Sequence, residues 1–131
     1  MGVTIVKHNQ GMQFTAENRG HKILFDLPKD IGGTDAASTP PEVFISSLGA
    51  CIGVYVVGYC ERHNIAYEGL TIELFWEKAD NPARIDQIEI QLKFPKPVPA
   101  DKKPVILKVA NGCLVHNTLM NHPEMTVTIA D

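Results

Sequence analysis

The sequence lacks both clustered positive charge and the short motifs that mark the common enzyme classes. It contains no Walker loop, no G-x-G-x-x-G pattern, no G-x-S-x-G elbow and no H-E-x-x-H motif. It therefore gives no support to nucleotide, serine-hydrolase or zinc-protease chemistry. The net charge is −3, and Lys102-Lys103 is the only adjacent pair of lysine or arginine residues. Because nucleic-acid binding needs a basic surface, we expect no nucleic-acid partner.

Signals for export are also lacking. Residues 1–8 contain no long apolar segment of the kind that a signal peptide requires. The three cysteines are an odd number, which favours reduced thiols over an extracellular disulfide framework. We therefore expect a soluble cytoplasmic protein, and a length of 131 residues predicts one domain spanning residues 1–131.

Residues 43–60 carry no formal charge, and a run of this length raises the possibility of a transmembrane helix. Three glycines, two serines and two tyrosines dilute the run, and predicted strands flank it. We therefore interpret it as a helix buried in a core or between two subunits, and we expect no membrane association. Gly49 and Gly53, four residues apart, would let another backbone approach this helix closely.

Alternating and helical apolar patterns predict an α+β fold in the order βββ-α-ββ-α-β. The central helix is announced by Thr39 and Glu42, which have the spacing of a capping box, and by the prolines between them. The predicted strands span residues 3–6, 12–16, 22–26, 70–77, 88–94 and 125–129. The central helix is predicted to start after a cap at Thr39 and to end near His63-Asn64. A second helix is predicted at residues 105–111, with one or two further helical turns within 113–121.

Chemistry is expected at the cysteines. Cys51 and Cys60 lie nine residues apart on the predicted helix, which corresponds to a rise of about 13 Å and opposite faces. They cannot form a disulfide while the helix is intact, so Cys113 is the only possible intrachain partner for either. The alternative is that all three cysteines are small buried apolar residues.

Histidines near Cys113 offer two further possibilities. His116 lies three residues after Cys113, on the same face if the segment is helical, and could favour a thiolate. Together with His122 the spacing becomes C-x2-H-x5-H, which is similar to that of some zinc sites but lacks a fourth ligand.

Several segments closely resemble the OsmC/Ohr family, the osmotically inducible protein C and organic hydroperoxide resistance proteins. The first cysteine motif and the segments before it comprise residues 21–26, 32–33, 38–42 and 48–51. Residues 113–119 occupy the place of the family's second motif, C-P-V-S-x-x-L. The resemblance spans nearly the whole chain and implies an OsmC-like fold, with a long buried central helix in an intertwined homodimer.

The resemblance also implies a chemistry, which is the reduction of organic hydroperoxides in oxidative-stress defence. By this resemblance Cys51 is the peroxidatic thiolate, Cys113 forms a disulfide with it, and an external dithiol resets the enzyme. It implies no metal or organic cofactor. Apolar neighbours of Cys51 in the helix would favour a small hydrophobic peroxide.

The sequence departs from the family's pattern where the activating groups are expected. The family's catalytic glutamate falls on Pro41, and Glu42 follows one residue later, where it also has a complete explanation as a helix cap. Arg19 is the arginine nearest to the place of the family's activating arginine. The second motif has Leu114 for proline and His116 for serine. These departures favour a less-characterised branch, and they leave open a non-catalytic dimer that binds a small hydrophobic ligand or a cysteine redox sensor.

Overall fold

The computed structural model describes residues 1–131 and consists of two compact units, residues 1–46 and residues 47–131. It contains five strands and three α-helices. This confirms the predicted α+β class and most of the predicted order. The helix that connects the two units in sequence belongs to both of them.

The first unit contains a three-stranded antiparallel sheet in the order β1-β2-β3. Its strands are β1 (Ile5–Gln10), β2 (Gln13–Asn18) and β3 (His21–Phe25). All three strands were predicted, with bounds shifted by a few residues. Arg19 and Gly20 form the turn between β2 and β3 with φ values of 51° and 86°, as a two-residue hairpin of this kind requires.

One face of this sheet is apolar and largely uncovered by the chain itself. The pairing register places Val6, Ala16 and Ile23 side by side, with Phe14 opposite Phe25 in the adjacent row. Of these five residues only Ala16 is buried, and Val6 is 57% exposed. An apolar face that stays accessible in one chain is typical of a surface that another molecule covers.

The long helix α1 (Pro40–Arg62) begins where the sequence predicts it. The Thr39 N–H donates to Glu42 Oε1 at 2.8 Å, and the Glu42 N–H donates to Thr39 Oγ1 at 3.3 Å. These two bonds form the predicted capping box, in which each residue satisfies a backbone N–H of the other.

By length and composition α1 could cross a membrane, with a mean hydropathy of 1.9 over its most apolar stretch. The core helix of a soluble protein meets the same criterion. One face of α1 does enter the core of the second unit, through Leu48, Ile52, Val56 and Cys60. The opposite side is exposed, at 70% for Val54.

The second unit pairs α1 with an antiparallel hairpin of β4 (Thr71–Ala79) and β5 (Arg84–Lys93). Leu74 and Ile72 of β4 pack directly against Gly49 and Gly53 of α1, respectively. A methyl group added at Gly49 would lie 2.7 Å from Leu74 Cδ1, and one added at Gly53 would lie 3.2 Å from Ile72 Cδ1. The glycines therefore set how closely the helix and hairpin approach.

The chain ends with α2 (Lys103–Ala110), α3 (Leu114–Met120) and a tail. Both helices match predicted helical segments. The predicted strand at residues 125–129 is wrong for the single chain, because residues 123–131 form neither helix nor strand. Its apolar side chains are exposed, at 83% for Met125, 92% for Val127 and 97% for Ile129. The alternation is present, but this chain supplies no neighbouring strand for its backbone groups.

Candidate active site

The structure brings together the two cysteines that the sequence singles out, and both lie in the second unit. Cys51 occupies the middle of α1 and is half-buried. Cys113 lies just before α3 and is fully buried. Cys51 packs against the core cluster that contains Cys113, and it is close enough to raise the pKa of the Cys113 thiol. All three cysteines of the chain are free thiols.

Cys113 is the N-cap residue of α3. Its backbone is extended, with φ −69° and ψ 154°, and its Sγ accepts a hydrogen bond from the His116 N–H at 3.3 Å. Its carbonyl accepts the Asn117 N–H at 2.9 Å. The thiol therefore occupies the place that a serine or threonine hydroxyl usually fills at a helix start, and the cap fixes its direction.

Burial raises the pKa of the Cys113 thiol, because a thiolate loses solvation in this environment. The His116 N–H partly offsets this effect, whereas the hydrogen bond to Cys51 and negative charge on Cys51 raise the pKa of Cys113 further. Burial and the neighbouring Cys51 together therefore hold the pKa of Cys113 above the ordinary thiol value.

Cys60 stands apart from this pair. It is fully buried in the core, and burial raises the pKa of its thiol. Since Cys51 and Cys60 both lie within the continuous helix α1, nine residues apart, they face opposite sides of it, as predicted. Cys60 fits the interpretation of a small buried apolar residue.

His116, three residues after Cys113, has a buried polar atom without a hydrogen-bond partner. Its Nδ1 is buried and has no hydrogen-bond partner, which is unusual because buried nitrogens are normally paired. His122 is exposed beyond the end of α3. No three His, Cys, Asp or Glu side chains gather in a way that could hold a metal ion, so the C-x2-H-x5-H spacing does not become a ligand set in this structure.

The two residues considered for activation, Glu42 and Arg19, both belong to the first unit. Glu42 accepts the Thr39 N–H in the capping box, and Arg19 lies in the turn between β2 and β3. Around Cys51, the residues one helical turn later are Val54 and Tyr55, which are 70% and 41% exposed. The half-buried thiol thus lies beside an accessible apolar strip of α1.

Sequence reasoning missed Asp26, the one buried charged residue of the chain. Its carboxylate accepts hydrogen bonds from Leu27 N at 2.7 Å, Thr34 Oγ1 at 2.7 Å and Ala36 N at 3.1 Å. Gly33 is required beside it, since an added Cβ would lie 1.8 Å from the Leu27 carbonyl oxygen. The sequence does contain a signal for this cluster, because Asp26 directly precedes a loop that contains the adjacent glycines Gly32 and Gly33.

Comparison with known proteins identifies the relatives of this fold. A family model for OsmC-like protein matches residues 33–128. No curated protein matches the sequence.

Several solved structures share the fold at low sequence identity. An OsmC-like protein from Mycoplasma pneumoniae superposes with a TM-score of 0.80 at 21% identity, covering 93% of this chain and 89% of the other. A candidate osmotic stress induced and detoxification response protein from Psychrobacter arcticus 273-4 gives 0.83 at 21% identity, with 90% and 88% covered. An organic hydroperoxide resistance protein OsmC from Legionella pneumophila gives 0.63 at 18% identity, with 89% and 88% covered.

Proposed function

Because this chain belongs to the OsmC-like protein family, we propose that it is a thiol-dependent peroxidase that reduces organic hydroperoxides in oxidative-stress defence. The observation that carries the proposal is the packing of Cys51 against the core cluster that contains the Cys113 thiol, where Cys51 is close enough to raise the pKa of Cys113. The fold shared with a protein named for organic hydroperoxide resistance agrees with it. The buried thiol Cys60 has no part in this chemistry.

In the proposed cycle the Cys51 thiolate attacks the terminal oxygen of the hydroperoxide. The O–O bond breaks, Cys51 becomes a sulfenic acid, and the alkoxide leaves and is protonated to the alcohol. The Cys113 thiol then displaces the hydroxyl of the sulfenic acid, forming the disulfide and releasing water. An external dithiol reduces the disulfide by exchange and is itself oxidised. No metal or organic cofactor takes part.

The environment of Cys113 supports this division of roles. Burial raises the pKa of the Cys113 thiol, and its interactions with Cys51 raise it further, which suits Cys113 to the resolving role. A thiolate is the nucleophile towards peroxide, and the half-buried Cys51 is the more accessible of the pair. The exposed apolar residues Val54 and Tyr55 provide a surface for a hydrophobic peroxide.

We further propose that the protein acts as a cytoplasmic homodimer. Proteins of this family are commonly dimers, and the apolar residues that one chain leaves exposed support a second copy here. They occur on the sheet of the first unit, on α1 at Phe44 and Val54, and in the tail at Val127 and Ile129. Participation of Arg19 or Glu42 in activating Cys51 is part of the same proposal.

One observation favours a second candidate function. The two residues considered for activating Cys51 both have structural places of their own, Glu42 in the capping box and Arg19 in the turn between β2 and β3, and a reactive thiolate needs an electropositive environment. A dimer that binds a small hydrophobic ligand without turnover, or a cysteine redox sensor, would need no such activation.

The test is a titration of free thiols before and after one equivalent of cumene hydroperoxide, followed by mass spectrometry. We expect two thiols to be lost rapidly, a Cys51–Cys113 disulfide to form, and a dithiol to reverse it. Cys51→Ser should abolish the reaction, whereas Cys60→Ser should leave it intact. Three unreacted thiols would contradict peroxidase activity and favour the second candidate.

Two further variants separate chemistry from folding. Cys113→Ser introduces a hydroxyl that can cap α3 in place of the thiol, whereas Cys113→Ala removes the cap and should lower stability. Both variants should prevent the disulfide. Glu42→Gln preserves the capping box, since glutamine serves at this position, but removes the charge. Loss of peroxide reactivity in Glu42→Gln with unchanged stability would support a catalytic carboxylate, and unchanged reactivity would leave Glu42 as a helix cap alone.

A further inference from the structure

A cavity of about 530 Å³ lies in the second unit, between the end of β5, the proline-rich segment that follows it and α2. This volume falls within the range of about 300–1,000 Å³ that is typical of small-molecule sites. Neither Cys51 nor Cys113 lines it. Its walls are mainly apolar, and they include Leu92, Phe94, Val98 and Ile106.

The proline-rich segment makes one wall of the cavity poor in hydrogen-bond donors. Pro95 and Pro97 line the cavity directly, and a proline has no backbone N–H to offer to a polar ligand. An apolar ligand therefore leaves no backbone N–H of these two prolines without a hydrogen-bond partner. The interior of the cavity suits a hydrocarbon chain.

Two lysines are the only charged residues that line this cavity, and neither is neutralised by the chain. Lys96 and Lys103 are both exposed, and the only salt bridge in the structure joins Lys93 to Glu73. Lys103 is the first residue of α2, which has no acidic residue in its first turn and no side-chain cap. Since the start of a helix also carries partial positive charge, the lining of this cavity is positively charged and contains no acidic residue.

We propose that this cavity binds a single-chain amphipathic carboxylate, such as the anion of a free fatty acid. The hydrocarbon chain lies against the apolar walls, and the carboxylate lies between Lys96 and Lys103, where it supplies the missing counter-charge. A neutral apolar molecule would leave both lysines unpaired, and a compact polyanion would find no polar partners along the walls. The site depends on neither cysteine, so it is independent of the proposed peroxidase activity.

The test is isothermal titration calorimetry of the full-length protein with sodium decanoate below its micelle concentration. We expect one site per chain, with weaker binding as salt concentration rises. Exposed ion pairs contribute modestly, so removing both lysines in the double variant Lys96→Gln/Lys103→Gln should weaken binding by roughly tenfold. Lys108→Gln is the matched control, because Lys108 lies on the same helix but does not line the cavity. Decanol should bind wild type and the double variant equally.

Other outcomes would overturn the proposal. Equal decanoate affinity in wild type and the double variant would show that the lysines do not hold the carboxylate. Dissociation of a dimer by Lys96→Gln/Lys103→Gln in sedimentation velocity would mean that a second copy of the chain covers the cavity. Binding to anionic vesicles without binding of monomeric decanoate would indicate a membrane surface instead. The variant Cys51→Ser, which abolishes the proposed peroxidase, should bind decanoate as the wild type does.

Discussion

At the scale of single residues, Asp26 explains why the loop before α1 has a defined conformation. The carboxylate satisfies backbone N–H groups on both sides of a polar segment that has no apolar core of its own. The hydroxyl of Thr34 and the N–H of Ala36 are the main causes that hold the pKa of Asp26 far below the ordinary carboxyl value. A charged group is tolerated at 1% exposure because its oxygens have partners.

This pairing predicts acid-dependent stability. The folded-state pKa of Asp26 is lower than its unfolded-state pKa, so the carboxylate stabilises the fold above about pH 4, and this contribution is lost as the pH falls further. Asp26→Asn should therefore lower the free energy of unfolding at pH 7 and flatten its decline between pH 4 and pH 3. Urea unfolding monitored by circular dichroism measures both effects.

The control for Asp26 is Asp30→Asn, which changes an exposed carboxylate of the same loop. It should leave the urea midpoint within experimental error at each pH. Equal effects of the two substitutions would show that the loss of charge, and not the loss of the hydrogen-bonded cluster, lowers the stability.

At the scale of elements, the three glycines of α1 make a graded series. A methyl group at Gly49 would press on Leu74, one at Gly53 would touch Ile72 less closely, and one at Gly58 would meet only the end of the Arg62 side chain at 3.4 Å. Each Gly→Ala change also gains helix propensity, by up to about 1 kcal/mol. The sign of the net effect therefore depends on the space available.

We expect Gly58→Ala to stabilise the protein by about 0.5–1 kcal/mol and Gly53→Ala to be nearly neutral. Gly49→Ala should destabilise it by about 1 kcal/mol, because overpacking outweighs the gain in propensity. Chemical denaturation of the three variants measures the order. Equal stabilisation by all three substitutions would mean that Leu74 and Ile72 can shift away from the added methyl groups without loss of stability.

Much of the architecture could be predicted from local patterns. The capping box at Thr39 and Glu42, the charge-free helix and the alternating strands all report local physics that a single sequence carries. The cavity beside α2 was missed because Phe94, Ile106 and the proline-rich segment that form it belong to separate parts of the chain. Periodic patterns in the sequence do not indicate which separate segments will lie next to each other. The contact of Cys51 with Cys113 likewise needed the fold, although the family resemblance implied it.

The tail was predicted wrongly for a related reason. The alternation of Met125, Val127 and Ile129 correctly indicates side chains that are suited to one buried face. Alternation does not say which molecule supplies the neighbouring strand, and in the single chain none does. The sequence pattern therefore indicates that one side of the tail is suited to burial, but it does not identify the surface that buries it.

At the scale of the whole molecule, the exposed apolar side chains of the tail are the place where we expect substitutions to disrupt self-association. Val127→Glu/Ile129→Glu should convert the proposed dimer to monomer, because charges without partners would be buried in the interface. The isolated chain should tolerate both changes, since these side chains are 92% and 97% exposed. Sedimentation velocity over a concentration series measures the association.

The matched control is Thr126→Glu/Thr128→Glu, which adds the same charge to the other side of the alternating segment. It should leave association largely unchanged. A stable dimer in both double variants would contradict a role for the apolar side of the tail, and monomers in both would point to charge repulsion instead of lost apolar contact.

The position of Cys113 at the start of α3 makes one sulfur atom serve two purposes. The Cys113 thiol accepts the His116 N–H, and this bond helps to fix the start of α3. In the proposed disulfide the same sulfur would be bonded to Cys51, so the anchoring of α3 would depend on the oxidation state of the cysteine pair.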